Sequence, residues 1–145
     1  MKVFLDTSAF AKRYIAEPGS DRVMALCEQA DSLVVSVICL PELISTLSRL
    51  TREKRLAKAD YLKLKGDAMA DLADVDMCQI TSDILSSVVS LLESHPLRAM
   101  DALHVACALA VAPDIFASAD QRQLSAAQKV GLKIVDVSSA ATISQ

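Results

Sequence analysis

Four carboxylates in this chain stand where chemistry is usually done. Asp6 ends the apolar run KVFL, and Glu42 lies four residues past LVVSVI, just after Pro41. Asp120 follows DIFAS in the run Ser118-Ala119-Asp120, and Asp101 lies in the most apolar segment, LRAMDALHVACALAVA. An ionised carboxylate is costly to take out of water, so each needs a cation, hydrogen bonds or a shifted pKa. Singly, each has an ordinary explanation: Asp120 as a helix N-cap, Glu42 at the positive end of a helix, Asp101 in an ion pair with Arg98 three residues earlier. Together, three acids at strand exits and one on a buried helix are expected to point into one cleft. In this reading no Lys or Arg is interleaved among them, so their repulsion calls for divalent cations. Oxygen-only ligands suit Mg²⁺ or Mn²⁺ and not Zn²⁺. Such a site activates water and neutralises phosphate charge during in-line displacement, with two ions, where both bind, about 3.5–4 Å apart.

Other polar residues fall beside the acids. The hydroxyls of Thr7, Ser8 and Ser118 are placed to orient carboxylates and not to act as nucleophiles, since no His–Ser–Asp arrangement is apparent. His104 lies three residues after Asp101 on the same helical face, where it supports the acid or a phosphate, or simply packs in a helix core. His95, before Pro96, has no evident task. Basic residues bunch in SRLTREKRLAK, as Arg49, Arg52, Lys54, Arg55 and Lys58, with Lys12 and Arg13 as a smaller group near Asp6. Lys12, Arg13, Arg49, Arg52 and Arg55 are the candidate phosphate-contacting rim; the plainer alternative is a solvated helix face. With few aromatics there is little stacking capacity, so any sequence preference would come from shape or from substrate structure.

The elements that must position these groups alternate. Strands are expected at 2–5, 33–38, 75–80, 114–118 and 133–137. Between them lie helical stretches: Ser8 to Tyr14; SDRVMALCEQA, with Ser20 as N-cap; a helix opened by Pro41; ADYLKLKGDAMADLADV, with Gly66 a weak point; and TSDILSSVVSLLESH, capped by Thr81 or Ser82. LRAMDALHVACALAVA follows the boundary at Pro96, and DQRQLSAAQKV ends at Gly131, which fits a left-handed C-terminal cap. That order predicts an α/β fold, a three-layer α/β/α sandwich with a mostly parallel sheet of about five strands. The 145 residues are expected to form one domain, 1–145, with no repeat and no linker, and the end, SSAATISQ, is expected to fray.

Composition excludes several classes. Just over half of the residues, 52%, are apolar, but with no Trp, two Tyr and three Phe the core must be aliphatic. A net charge of −3 argues against a surface coated for non-specific nucleic-acid binding, though not against a local basic patch. Cys27, Cys39, Cys78 and Cys107 form no CxxC pair and read as buried thiols of a reducing cytoplasm. No secretory signal is visible, and the longest nearly uncharged stretch, ALHVACALAVAP, is too short to span a bilayer. The expectation is a soluble cytoplasmic protein with no membrane partner.

The segments VFLDTSAF, LPEL around Glu42, LRAMDALHVACALA and IFASADQRQLSAAQKVGLKIV, in this order, resemble the PIN domain family, the nuclease fold of VapC-type toxins. The resemblance spans nearly the whole chain and implies a PIN-like fold. It implies an acidic site at Asp6, Glu42, Asp101 and Asp120, with Ser8 and Ser118 at the family's small-hydroxyl positions. It further implies Mg²⁺- or Mn²⁺-dependent cleavage of RNA, commonly as a homodimer, and neutralisation by a small antitoxin that inserts into the active-site groove. Ser118 stands where Thr is more frequent, and LPEL is less distinctive than its neighbours, which leaves Glu42 the least secure of the four. The expected activity is that of an endoribonuclease, the toxin of a type II toxin–antitoxin pair. The alternatives are a stand-alone PIN nuclease in RNA processing and a non-catalytic RNA- or protein-binding module. An aspartyl-phosphate phosphatase would want a second Asp two residues after Asp6, where Ser8 stands. A helical pair around residues 42–75 is the expected dimer face.

Overall fold

Short, nearly continuous apolar runs such as KVFL, SLVVS and IFAS build the sheet. In the computed structural model, which describes residues 1–139, the strands are β1 (Lys2–Leu5), β2 (Ser32–Ser36), β3 (Asp76–Cys78), β4 (Ile115–Ser118) and β5 (Ile134–Asp136). They pair in the order β3-β2-β1-β4-β5, every pair parallel. Residues 140–145, most of the expected frayed end, lie outside the described residues. The helices are α1 (Thr7–Ala11), α2 (Ser20–Gln29), α3 (Cys39–Arg52), α4 (Lys58–Ala73), α5 (Ser82–Ser94), α6 (Ala99–Val111) and α7 (Gln121–Lys129). The expected elements are all present, with β2 and β3 shorter than their apolar runs.

Successive side chains of a strand face opposite sides of a sheet, and both sides here are covered. Val3, Leu5 and Val35 pack with Phe10, Val23, Leu43, Leu47 and Leu72, which come from α1 to α4. Phe4, Val34 and Phe116 pack with Ile84, Val88, Leu91, Val105 and Leu124, from α5 to α7. Phe4 and Phe116 stack at 5.7 Å on adjacent strands within an otherwise aliphatic core layer. These two layers flank the sheet as a three-layer α/β/α sandwich.

Strand order decides where a site belongs. The chain adds β2 and β3 on one side of β1, then returns to add β4 and β5 on the other. The reversal falls between β1 and β4, and the crevice at their carboxyl ends is where ligands bind in open parallel sheets.

Several caps follow local chemistry. Thr81 Oγ1 accepts a hydrogen bond from Ile84 N–H and starts α5. Gly131 has φ +97° just past α7, as a left-handed C-terminal cap requires. The start of α2 differs from expectation. Gly19, at φ +92°, holds the N-cap position, while Ser20 Oγ closes the preceding turn by donating to the carbonyl of Ile15 and accepting from Glu17 N–H. Gly66 does not interrupt α4. The four cysteines are free thiols, and burial pushes both Cys39 and Cys107 up to about 12, which keeps them unreactive. No helix among the described residues is long and apolar enough to cross a membrane.

Candidate active site

All four acids stand at the beginnings of helices. Asp6 is the N-cap of α1, its Oδ1 accepting from Ala9 N–H at 2.9 Å. Asp120 is the N-cap of α7, its Oδ1 accepting from the N–H groups of Arg122 (2.9 Å) and Gln123 (3.2 Å). Glu42 lies in the first turn of α3. Asp101 lies one turn past Pro96, at the start of the apolar helix expected there. The α6 helix starts only at Ala99, after extended Arg98, so Asp101 is in its first turn and its Oδ2 accepts from Arg98 N–H at 3.3 Å. Helix N-termini carry partial positive charge and free N–H groups, so the fold offers each anion local compensation.

The four side chains line one cavity of about 1000 Å³, together with Thr7, Ser8, His104 and Gln123. Hydrogen bonds knit it into two groups. In the first, Ser8 Oγ donates to both oxygens of Asp6 (2.7 and 2.9 Å), and Ser118 Oγ donates to Asp6 Oδ2 (2.7 Å) while accepting from Asp120 N–H (2.9 Å). In the second, Thr7 Oγ1 donates to Glu42 Oε1 at 2.6 Å, and His104 Nε2 lies 2.5 Å from the same oxygen and 3.2 Å from Thr7 Oγ1. The expected supporting hydroxyls thus orient carboxylates. His104, 1% exposed, belongs to the Glu42 group and not to Asp101, its neighbour one turn earlier.

The two groups are tuned in opposite directions. Complete burial pushes the Asp6 carboxyl above the usual carboxylate range, and the nearby His104 and the bonds from Ser118, Ala9 and Ser8 offset this only in part. Burial also raises Glu42, but there the bonds from His104 and Thr7 win and hold it below its ordinary value. Asp6 is therefore a buried carboxyl short of positive charge.

The basic residues are distributed differently from expectation. Cations do stand among the acids: Lys12, Arg49 and Arg98 line the same cavity, and Arg98 Nε lies 3.5 Å from Asp101 Oδ2. Lys12, expected at an RNA rim, is 7% exposed, and its Nζ is committed to Glu17 (3.1 Å) and the carbonyl of Pro18 (2.7 Å). Arg13 pairs with Asp71 at 3.4 Å and lies over the rings of Phe10 and Tyr14. Arg52 and Arg55 are not among the cavity residues, and Arg55 pairs with Glu53. Of the five candidates only Arg49 is both at the cavity and unengaged by a salt bridge among the described residues. It shares one face of α3 with Glu42, Ser45 and Thr46.

The donor set fits a hard divalent cation. Carboxylate and hydroxyl oxygens dominate, and the two cysteines of the fully buried core stand apart from the cavity lining. Among the described residues no three His, Cys, Asp or Glu side chains already form a tight metal cluster. Mg²⁺ does not require one, since it keeps several waters and takes one or two carboxylates directly. Gln123 was missed in the sequence. Its signal is the spacing Asp120-x-x-Gln123, which reads as a helix-start capping box.

A family model described as PIN domain matches residues 3–129. Two curated relatives from Mycobacterium tuberculosis, Ribonuclease VapC45 and Ribonuclease VapC49, are each 28% identical over 134 residues, covering 91% of this chain and 93% of the relative. Among solved structures, M. tuberculosis VapC20, described as a sarcin–ricin loop cleaving toxin, superposes with a TM-score of 0.68 at 18% identity over 92% of this chain and 98% of that one. A toxin–antitoxin complex from Klebsiella pneumoniae gives 0.68 at 15% identity, over 93% and 97%.

Proposed function

This chain belongs to the PIN domain family, and we propose that it is an endoribonuclease dependent on Mg²⁺ or Mn²⁺, the toxin of a type II toxin–antitoxin pair. The observation that carries this reading is the shared cavity of Asp6, Glu42, Asp101 and Asp120 at the strand-order reversal. The relatives named as ribonucleases support the substrate class, and the structural relatives solved as toxin–antitoxin complexes support a small antitoxin as partner.

Asp6, Glu42, Asp101 and Asp120 would hold the cation, which when bound supplies Lewis-acid activation of water and neutralises charge at the scissile phosphate. The chain's own residues prepare for it. Ser8 and Ser118 fix both oxygens of Asp6, and the raised Asp6 carboxyl marks the place where positive charge is most wanted. Thr7 and His104 lock Glu42 in its ionised form. Arg49, seven residues along α3 from Glu42, reaches the cavity edge where an RNA backbone phosphate would lie. A homodimer belongs to the same reading. Leu62 and Met69 of α4 are exposed within the region expected to supply its face, and sedimentation would measure it.

The test is Asp6→Asn, which removes charge at nearly constant volume. The parent should cleave RNA with added Mn²⁺ and stop with a chelator, while Asp6→Asn should be folded and inactive. Undiminished cleavage by a folded, nuclease-free preparation of the variant would falsify the proposal.

A further inference from the structure

The Asp120-x-x-Gln123 spacing predicts that the Gln123 side chain turns back to accept from the N–H of Asp120, completing a capping box. It does not. Ser118 Oγ already accepts from Asp120 N–H at 2.9 Å. Freed from that task, the Gln123 amide crosses to another helix, and its Nε2 donates to Asp101 Oδ1 at 3.2 Å. The backbone N–H of the same residue donates to Asp120 Oδ1 at 3.2 Å. One residue of α7 thus holds acids from two separate helices.

Its other end is unpaired. Gln123 is 4% exposed and lines the cavity, yet Oε1 is buried without a partner among the described residues. Reversing the amide would set Oε1 against the carboxylate of Asp101, two acceptors face to face, so the orientation follows from the network. A buried acceptor without a donor destabilises a fold, and an apolar side chain of similar length would avoid that cost. The neighbouring buried positions of α7, Leu124, Ala126 and Ala127, are all apolar.

We propose that Gln123 is a positioning residue for divalent-cation binding. Its amide N–H group sets the orientation of the Asp101 carboxylate, and its Oε1 is kept as an acceptor for a donor that enters with the hydrated ion. This rests on the nuclease reading above. It adds a residue that touches neither the substrate nor the phosphate and acts through Asp101.

The experiment compares the parent with Gln123→Met, which keeps the length of the side chain and removes both hydrogen-bonding ends. Calorimetric titration with Mn²⁺, in the absence of RNA, should show affinity weakened by about 10- to 100-fold, the usual effect of losing a residue that orients a metal ligand. Without metal, a cooperative thermal transition shows that the variant is folded. RNA cleavage should be slow at low Mn²⁺ and recover towards the parent rate at saturating Mn²⁺. Gln123→Leu provides the same comparison should the Met variant fail to fold. Folded variants that bind Mn²⁺ as tightly as a Mn²⁺-binding parent overturn this inference alone, whereas a parent that takes up no Mn²⁺ overturns the nuclease reading with it.

Discussion

Asp6 shows how a single residue is set for its task by what it lacks. Four hydrogen bonds reach its carboxylate, and burial still wins, so its pKa is raised in the absence of a cation. The sign has a consequence for stability. A carboxyl raised in the folded state favours folding below its unfolded pKa, near 3.8, and that contribution is lost as pH rises through the folded value. At neutral pH, without metal, the buried Asp6 carboxyl is therefore a burden. Asp6→Asn should raise the thermal midpoint of the metal-free protein at pH 7, by roughly 3 °C for each 1 kcal/mol relieved in a chain of this size. Calorimetric scans at pH 7 and pH 4 should show the gain shrinking at the lower pH. An equal gain at both would mean the burden is not the charge. Added Mn²⁺ should stabilise the parent and leave Asp6→Asn unmoved.

Among the elements, α3 carries the clearest division of labour. Leu43 and Leu47 go into the core, while Glu42, Ser45, Thr46 and Arg49 form the cavity-facing stripe. That periodicity separates two arginines which look alike in the sequence. Arg49→Ala should weaken RNA binding and lower the dependence of log K on log salt by about 0.7, the value for one phosphate contact to a single strand. Arg55→Ala should change neither, since Arg55 lies past the helix end, is 68% exposed and pairs with Glu53. Filter binding with the inactive Asp6→Asn background, repeated across salt concentrations, measures both. Helix starts explain the acids at this scale too. Four helices begin around one cavity, and an Asp or Glu at the N-cap or in the first turn of each is favourable before any cation is considered.

For the molecule as a whole, the segment between α1 and α2 ties the site to the far edge of the sheet. Lys12 pins Glu17 and Pro18 from inside the cavity wall. Gly19 then passes so close to the chain beyond β5 that an added Cβ would lie 1.9 Å from the carbonyl oxygen of Val137. Val137 N–H in turn donates to Ser118 O, immediately beside the Asp6 partner. Gly19→Ala faces both a left-handed backbone and a backbone clash, and should cost about 2 kcal/mol or more in urea unfolding. Gly66→Ala is the contrast: nothing lies within 4 Å of its added Cβ, and it should stabilise α4 by about 0.5–1 kcal/mol.

The order of strands and helices, the aliphatic core and the four acids were legible in the sequence, because periodicity and strand-end positions are local properties. Thr81 and Gly131 as caps were legible for the same reason. What only the packed chain decided was which polar groups meet. His104 meets Glu42 and not Asp101, Lys12 is buried against Pro18, and Gln123 leaves its own cap to reach Asp101 across 22 residues of sequence. Spacing along one element fixes a direction for a side chain but not its partner on another. The partner depends on how the helices lie against the sheet, and that is set by the sum of many apolar contacts that no short stretch of residues contains.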